Sequence, residues 1–150
     1  MPGFEPVDPD FAQRVRASFA KQGLMAHLGV ELAAIEPGVC RLEVPYRPAL
    51  TQQHGFFHAG VTTSLADSAA GYAAFSLMPA DAAVLTVELK INLMAPAKGE
   101  RLIATGQVEK AGRTLMVVRS EVVARAEGAT TTVAVMLGTM MCLRGASIVG

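Results

Sequence analysis

The stretch QQHGFFHAGVTTSLADSAAGYAAFSLM, residues 52–78, decides the fold. No proline interrupts it from Ala59 to Met78, and alanine, the best helix former, recurs throughout, so residues 59–78 are expected to form one long helix. At about 1.5 Å per residue, twenty residues extend roughly 30 Å, enough to cross a bilayer. Thr62, Thr63, Ser64, Asp67 and Ser68 make its first half too polar for lipid, and the segment reads as a buried helix of a soluble protein.

Upstream, Asp8-Pro9 suggests an N-cap and first-turn proline. Phe11, Val15 and Phe19 then follow at helical spacing until Gly23 signals a stop. Strands are expected at 29–36 and 39–46, flanking Pro37-Gly38, with an irregular loop over 47–55. Downstream, residues 84–93 alternate, with Leu85, Val87, Leu89, Ile91 and Leu93 on one face and Thr86, Glu88, Lys90 and Asn92 on the other. Pro96 and Gly99 end that pattern. Strands at 101–109 and 114–125 join through residues 110–113, and a turn at Glu127-Gly128 leads to a last strand at 130–143. The expected fold class is α+β: an antiparallel sheet wrapped around one long central helix. Residues 1–150 form a single domain in this reading, with 1–28 as an N-terminal tail and short helix.

Thirteen basic and thirteen acidic side chains cancel, so no field gathers nucleic acid or an anionic membrane, and neither is an expected partner. A hydrophobic fraction of 51% against 17% charged is rich for a small domain and points to apolar surface buried between subunits. Cys40 and Cys142 form neither a dense disulfide framework nor a Cys-x-x-Cys metal pair, and read as small core residues. The first ten residues lack the basic start and apolar run of a signal peptide, which makes a cytoplasmic location the default. His54 and His58 have the spacing of a metal pair, but Gly55 separates them and no third ligand is near, so no metal is expected. Ser64 and Ser68 lie outside any Gly-x-Ser-x-Gly turn, which argues against a serine triad.

Asp67 is the only ionisable side chain of residues 59–78 besides Tyr72. A carboxylate buried without a cation costs stability unless hydrogen bonds or function compensate. Two readings stand: a solvent-facing position on a stripe with Thr63, Ser64 and Gly71, or a functional group. At the helix N-terminus, the N–H groups of Ala59 and Gly60 would favour an anion or a developing oxyanion; Gly60 as a packing glycine is the alternative. Eight helical residues separate Ala59 from Asp67 by roughly 12 Å. If both act on one carbonyl, they come from two copies of the chain, and the site lies at a homodimer interface.

Gly55-Phe56-Phe57-His58-Ala59-Gly60 followed by Leu65-Ala66-Asp67 resembles the Gly-x-x-His-Gly-Gly…Asp signature of phenylacetate-degradation (PaaI-like) hotdog thioesterases. The similarity continues through Leu89-Lys90-Ile91-Asn92-Leu93, Pro96 and Gly99, and Lys110-Ala111-Gly112-Arg113-Thr114, covering most of residues 29–143. It implies a hotdog fold and hydrolysis of an acyl- or aryl-acyl-coenzyme A, with coenzyme A as part of the substrate and no separate cofactor. It further implies a homotetramer built from dimers, the coenzyme lying across the subunit interface. Asp67 takes the place of the general base or nucleophile, Ala59 supplies the oxyanion N–H with Gly60 beside it, and His58 fixes the loop. Gln52 falls where the family often has asparagine, Thr86 where a small hydroxyl positions water, and Lys110, Gly112 and Arg113 where a hairpin meets the coenzyme phosphates. Ala59 in place of glycine narrows that residue's conformations and adds a methyl group beside the thioester. Phe56 and Phe57 are candidates for an acyl wall or for the core. Two rivals are a hotdog hydratase or dehydratase using His58 and Asp67 as acid and base, and a noncatalytic acyl-coenzyme A binding module.

Overall fold

The computed structural model describes residues 3–145; the first two and last five residues of the expected 1–150 domain lie outside them. Helices α1 (Phe11–Phe19) and α2 (Gly23–Leu28) precede strands β1 (Glu31–Glu36) and β2 (Val39–Pro45), and a 3-10 turn (Pro48–Leu50) leads to helix α3 (Ala59–Phe75). Strands β3 (Ala82–Leu93), β4 (Arg101–Ala111), β5 (Leu115–Ala126) and β6 (Ala129–Arg144) complete one antiparallel sheet of order β1-β2-β4-β5-β6-β3. This is the expected α+β arrangement of a sheet against a central helix.

Small side chains let α3 sit close to the sheet. Leu65, Ala66, Ala69, Ala70, Ala73 and Ala74 are fully buried along it. Gly106 of β4 lies directly beneath: a Cβ there would stand 2.3 Å from the Ala69 carbonyl carbon and 2.4 Å from the Ala70 nitrogen. Backbone thus meets backbone, and only glycine fits.

Strand β3 departs from the alternation expected of it. A bulge at Val87, between the pairs Thr86–Met140 and Glu88–Thr139, adds one residue. Thr86 pairs with the buried Met140, and beyond the bulge Leu89 and Ile91 pair with the buried Gly138 and Met136. Leu85 and Val87 are left 47% and 52% exposed instead of sharing the face of Leu89 and Ile91. Thr86, expected on the polar face, turns toward α3. Twelve residues long, β3 forms one bare edge of the sheet; the other edge, β1, is half that length, carries its own bulge and packs against α1.

Gly23 does not stop the N-terminal region but opens α2, whose end is Gly29 at φ +76°, so β1 starts later than expected. Asp8 does not cap α1; Asp10 precedes Phe11, and Asp8 accepts from the Asp10 N–H and pairs with Arg14 Nε at 2.7 Å. Arg14 stacks on Phe75, 4.2 Å from its ring, and donates to Phe75 O (3.1 Å) and Met78 O (2.7 Å), closing the C-terminal end of α3. The helix therefore ends at Phe75, short of Met78. Cys40 and Cys142 are buried free thiols, and burial pushes Cys40 up to about 12.

Two outcomes follow for stability. Gly106→Ala should cost about 3 kcal/mol or more in urea unfolding, because α3 must lift off β4. The Arg14 guanidinium, then the Asp10 N–H, hold the Asp8 carboxyl below its ordinary value of 3.8. A depressed carboxyl stabilises the fold above its unfolded pKa and loses that contribution as pH falls through the folded one. The melting-temperature gap between the native chain and Asp8→Asn should therefore be present at pH 7 and close as pH drops below 3.8.

Candidate active site

The loop entering α3 is tied by His58 N–H to Leu50 O and Phe57 N–H to Ala97 O, each at 2.9 Å. His58 is the N-cap: its Nδ1 accepts from Gly60 N–H at 2.8 Å, and its carbonyl accepts from Val61 and Thr62 N–H. In the neutral ring the proton then sits on Nε2. Gly60 N–H is thus already engaged, which corrects its expected role as a free donor. A Cβ at Gly60 would stand 3.0 Å from His58 Nδ1, so this glycine admits the imidazole. Ala59 N–H is left as the first-turn amide without an acceptor among the described residues.

Ala59 lines a cavity of about 510 Å³ with Gln52, Phe56, Phe57, Thr62, Val133 and residues 93–97. Gln52 Oε1 accepts from His54 N–H, which leaves the Gln52 amide hydrogens as its remaining donors. Phe57 is buried and meets Tyr46 edge-on at 5.5 Å, so it is core as well as wall, whereas Phe56 is half-buried.

Further along α3, Asp67 is half-buried and accepts from Thr86 Oγ1 at 2.8 Å; neither a fully solvent-facing stripe nor a sealed core position describes it. The bulge at Val87 makes this contact possible. Met140 Sδ lies 3.4 Å from the same hydroxyl, but a carboxylate is the stronger acceptor of its single proton. Asp67 and Thr86 line a second cavity, of about 90 Å³, with Gln22, Ser68, Gly71, Tyr72 and Val84. Among the described residues none lines both cavities.

Gln22 and Tyr72 are absent from the sequence-level candidates. Gln22 lies in a segment read as tail, although Tyr72 was visible as the other ionisable group of the helix. Gln22 Nε2 donates to the Tyr72 hydroxyl at 2.9 Å, and Ser18 Oγ lies 3.2 Å from it. Burial pushes the Tyr72 phenol up, against the Ser18 and Gln22 hydrogen bonds, so it keeps its proton.

Lys110, Gly112 and Arg113 lie apart from both cavities. Lys110 belongs to β4, beside a bulge, and Arg113 borders an open groove with Thr114, Cys142 and Arg144. Gly112 is required by the turn, since a Cβ would stand 2.3 Å from Leu115 O. Ser64 Oγ donates to Gly60 O at 2.7 Å and has no His or Asp partner among the described residues, while the His54 ring meets the side-chain amide of Gln53. Among the described residues no three His, Cys, Asp or Glu side chains converge, and no helix is long and apolar enough to cross a membrane.

Comparison with known proteins gives this geometry its family. The sequence profile of the thioesterase superfamily matches residues 54–131. A Halobacterium salinarum protein provisionally named an esterase is 34% identical over 96% of this chain and 99% of its own. The crystal structure of a thioesterase family protein from Silicibacter pomeroyi superposes with a TM-score of 0.89 at 50% identity, covering 90% of this chain and 99% of that one. The Escherichia coli PaaI protein of the phenylacetic acid degradation operon shares the fold, with a TM-score of 0.81 at 24% identity over 91% and 95% of the two chains. The chain adopts the hotdog fold and belongs to the thioesterase superfamily.

Proposed function

We propose that the protein hydrolyses an acyl- or aryl-acyl-coenzyme A to the free acid and coenzyme A, at a site assembled from two copies. The observation that carries this reading is the division of one helix into two incomplete half-sites. The Ala59 amide and Gln52 share one cavity, the Asp67–Thr86 pair lines another, and about eight residues of rigid helix, roughly 12 Å, hold them apart. A carbonyl polarised by Ala59 N–H meets a carboxylate within reach only when the partner supplies it.

The bare edge of β3 supports such an assembly, because a long unpaired strand is a template for pairing with another chain. Antiparallel pairing of β3 with its copy, centred on Lys90, would set residues 93 and 94, which line the Ala59 cavity, opposite residues 87 and 86 of the copy. Exposed Leu85, Leu115, Val117 and Leu137 on the outer face supply apolar surface for pairing dimers into a tetramer.

In this site the large cavity, walled by Phe56, Leu93 and Met94, takes the acyl group. Ala59 N–H and the Gln52 amide bind the carbonyl oxygen. Asp67 acts as general base or nucleophile, and the coenzyme thiolate leaves. Arg113 and Lys110, at the open hairpin, meet the coenzyme phosphates, with the Gly112 turn between them. The engagement of His58 Nδ1 by Gly60 supports an anchoring role and weighs against the hydratase reading, in which His58 would move protons.

Asp67→Asn should lower thiol release from acyl-coenzyme A substrates by about a thousandfold while substrate binding and melting temperature persist; near-native turnover in that variant ends the proposal. Sharing is tested separately. Proline is favoured at the first helical position and lacks the N–H, and His58 is already extended (φ −64°, ψ 142°), so Ala59→Pro should fold yet lose the oxyanion donor. Mixing and re-annealing inactive Ala59→Pro with inactive Asp67→Asn should restore about a quarter of native activity, one intact site per mixed dimer. Recovery of none would place both groups' action within single chains.

A further inference from the structure

Thr62 is 1% exposed, and its hydroxyl has no hydrogen-bond partner among the described residues. The next two side chains along α3 meet the same need one turn back: Thr63 Oγ1 donates to Ala59 O at 2.8 Å and Ser64 Oγ to Gly60 O at 2.7 Å. For Thr62 the equivalent carbonyl is His58 O, which already accepts from Val61 N–H at 2.9 Å and Thr62 N–H at 3.3 Å. A buried hydroxyl without a partner gives up its hydration uncompensated, and native structures hold few such groups. Thr62 also lines the cavity of about 510 Å³ at Ala59, where Gln52 is the one other polar side chain among the described residues. Phe56, Phe57, Leu93, Met94 and Val133 make the rest of that lining largely apolar. Ser120, the other buried hydroxyl without a partner, lines neither this cavity nor the one at Asp67.

Residues three apart are neighbours on a helix surface, with Cβ atoms about 5–6 Å apart, and each Cα–Cβ bond tilts toward the helix N-terminus. Thr62 therefore leans toward the turn that carries the Ala59 N–H. A carbonyl oxygen held by that N–H starts the acyl chain beside Ala59, and an oxygen on the α carbon stays next to the carbonyl. One on the β carbon extends a bond further, toward Thr62. Threonine in a helix populates two rotamers, so a substrate oxygen at the cavity wall draws the hydroxyl outward in exchange for the methyl group. Resting on the hydrolase reading above, we infer that the acyl group carries a hydroxyl on its β carbon and that Thr62 is the residue that reads it. Each hydroxyl can donate and accept, so the substrate completes a hydrogen bond that the chain alone does not make. An unsubstituted chain leaves Thr62 unpaired and gains nothing from it, which is how a site built around one hydroxyl selects against the analogue lacking it. Thr62 sets specificity and takes no part in breaking the carbon–sulfur bond.

The test measures thiol release from two matched pairs: β-hydroxyhexanoyl- against hexanoyl-coenzyme A, and β-hydroxy-β-phenylpropanoyl- against β-phenylpropanoyl-coenzyme A. The native enzyme should favour the hydroxylated member of at least one pair by about tenfold in kcat/KM. Thr62→Val keeps the shape of the side chain without its hydroxyl and should bring that ratio to about one, at a melting temperature no lower than native. Thr62→Ser restores the hydroxyl and should keep most of the preference. A native ratio near one, or a preference that survives Thr62→Val, overturns the inference. Should Thr62→Val not fold, the same ratio measured in Thr62→Ala decides in its place. Cleavage of other acyl-coenzyme A thioesters but of neither hydroxylated compound also overturns the inference, and leaves the hydrolase reading intact. A native enzyme that releases no thiol from any acyl-coenzyme A overturns both.

Discussion

The contact between α3 and β4 at Gly106 sets the geometry of the candidate site around Asp67. With no Cβ at Gly106, and with Ala66, Ala69, Ala70 and Ala73 on the facing helix, α3 lies against the sheet backbone. Protein interiors are close-packed and deform little. The depth of the helix therefore fixes how far Asp67 stands from the inner face of β3, and the 2.8 Å bond to Thr86 reports that the spacing is correct. A helix lifted by one methyl group would separate carboxylate from hydroxyl and widen the small cavity between them.

The bulge at Val87 is the second constraint, and it works with the first. A regular β3 would carry Thr86 on the same face as Glu88 and Lys90, away from the helix. One inserted residue reverses that relation, so Val84, Thr86, Leu89 and Ile91 all turn inward around a kink. The cost is exposed Leu85 and Val87 near a bare sheet edge, where single-chain stability gains nothing from them. A surface of this kind is what the proposed assembly of two copies would cover.

The helix, the strand order along the chain and the Ala59–Asp67 spacing were legible in the sequence because each rests on local signals: alanine content, alternation and glycine or proline punctuation. The bulge was not, since strict alternation over residues 84–93 looks the same with or without an extra residue, and only pairing with β6 reveals it. Gly23 misled for a related reason. Glycine both ends and begins helices, and which role it plays depends on Met25 and Leu28 finding the core. The contribution of Gln22 was hidden for the same cause, because a bond to Tyr72 fifty residues away leaves no local trace.

The substitution of Ala59 for the family glycine also looks different in three dimensions. Ala59 is the first residue of a right-handed helix, and the positive φ angles of the described residues lie elsewhere, so glycine's conformational freedom is not needed there. Gly60 is the position of the two with a steric reason for glycine, because a Cβ there would stand 3.0 Å from His58 Nδ1, a tight contact. The imidazole takes the Gly60 amide and so concentrates the unpaired donor character of the helix end on a single N–H, at Ala59. The added methyl group leaves that donor in place and faces the question of substrate fit alone, beside the cavity assigned to the acyl group. Donor and methyl thus share one residue, and any change there that alters acyl preference without lowering maximal rate would act through the methyl rather than through the amide.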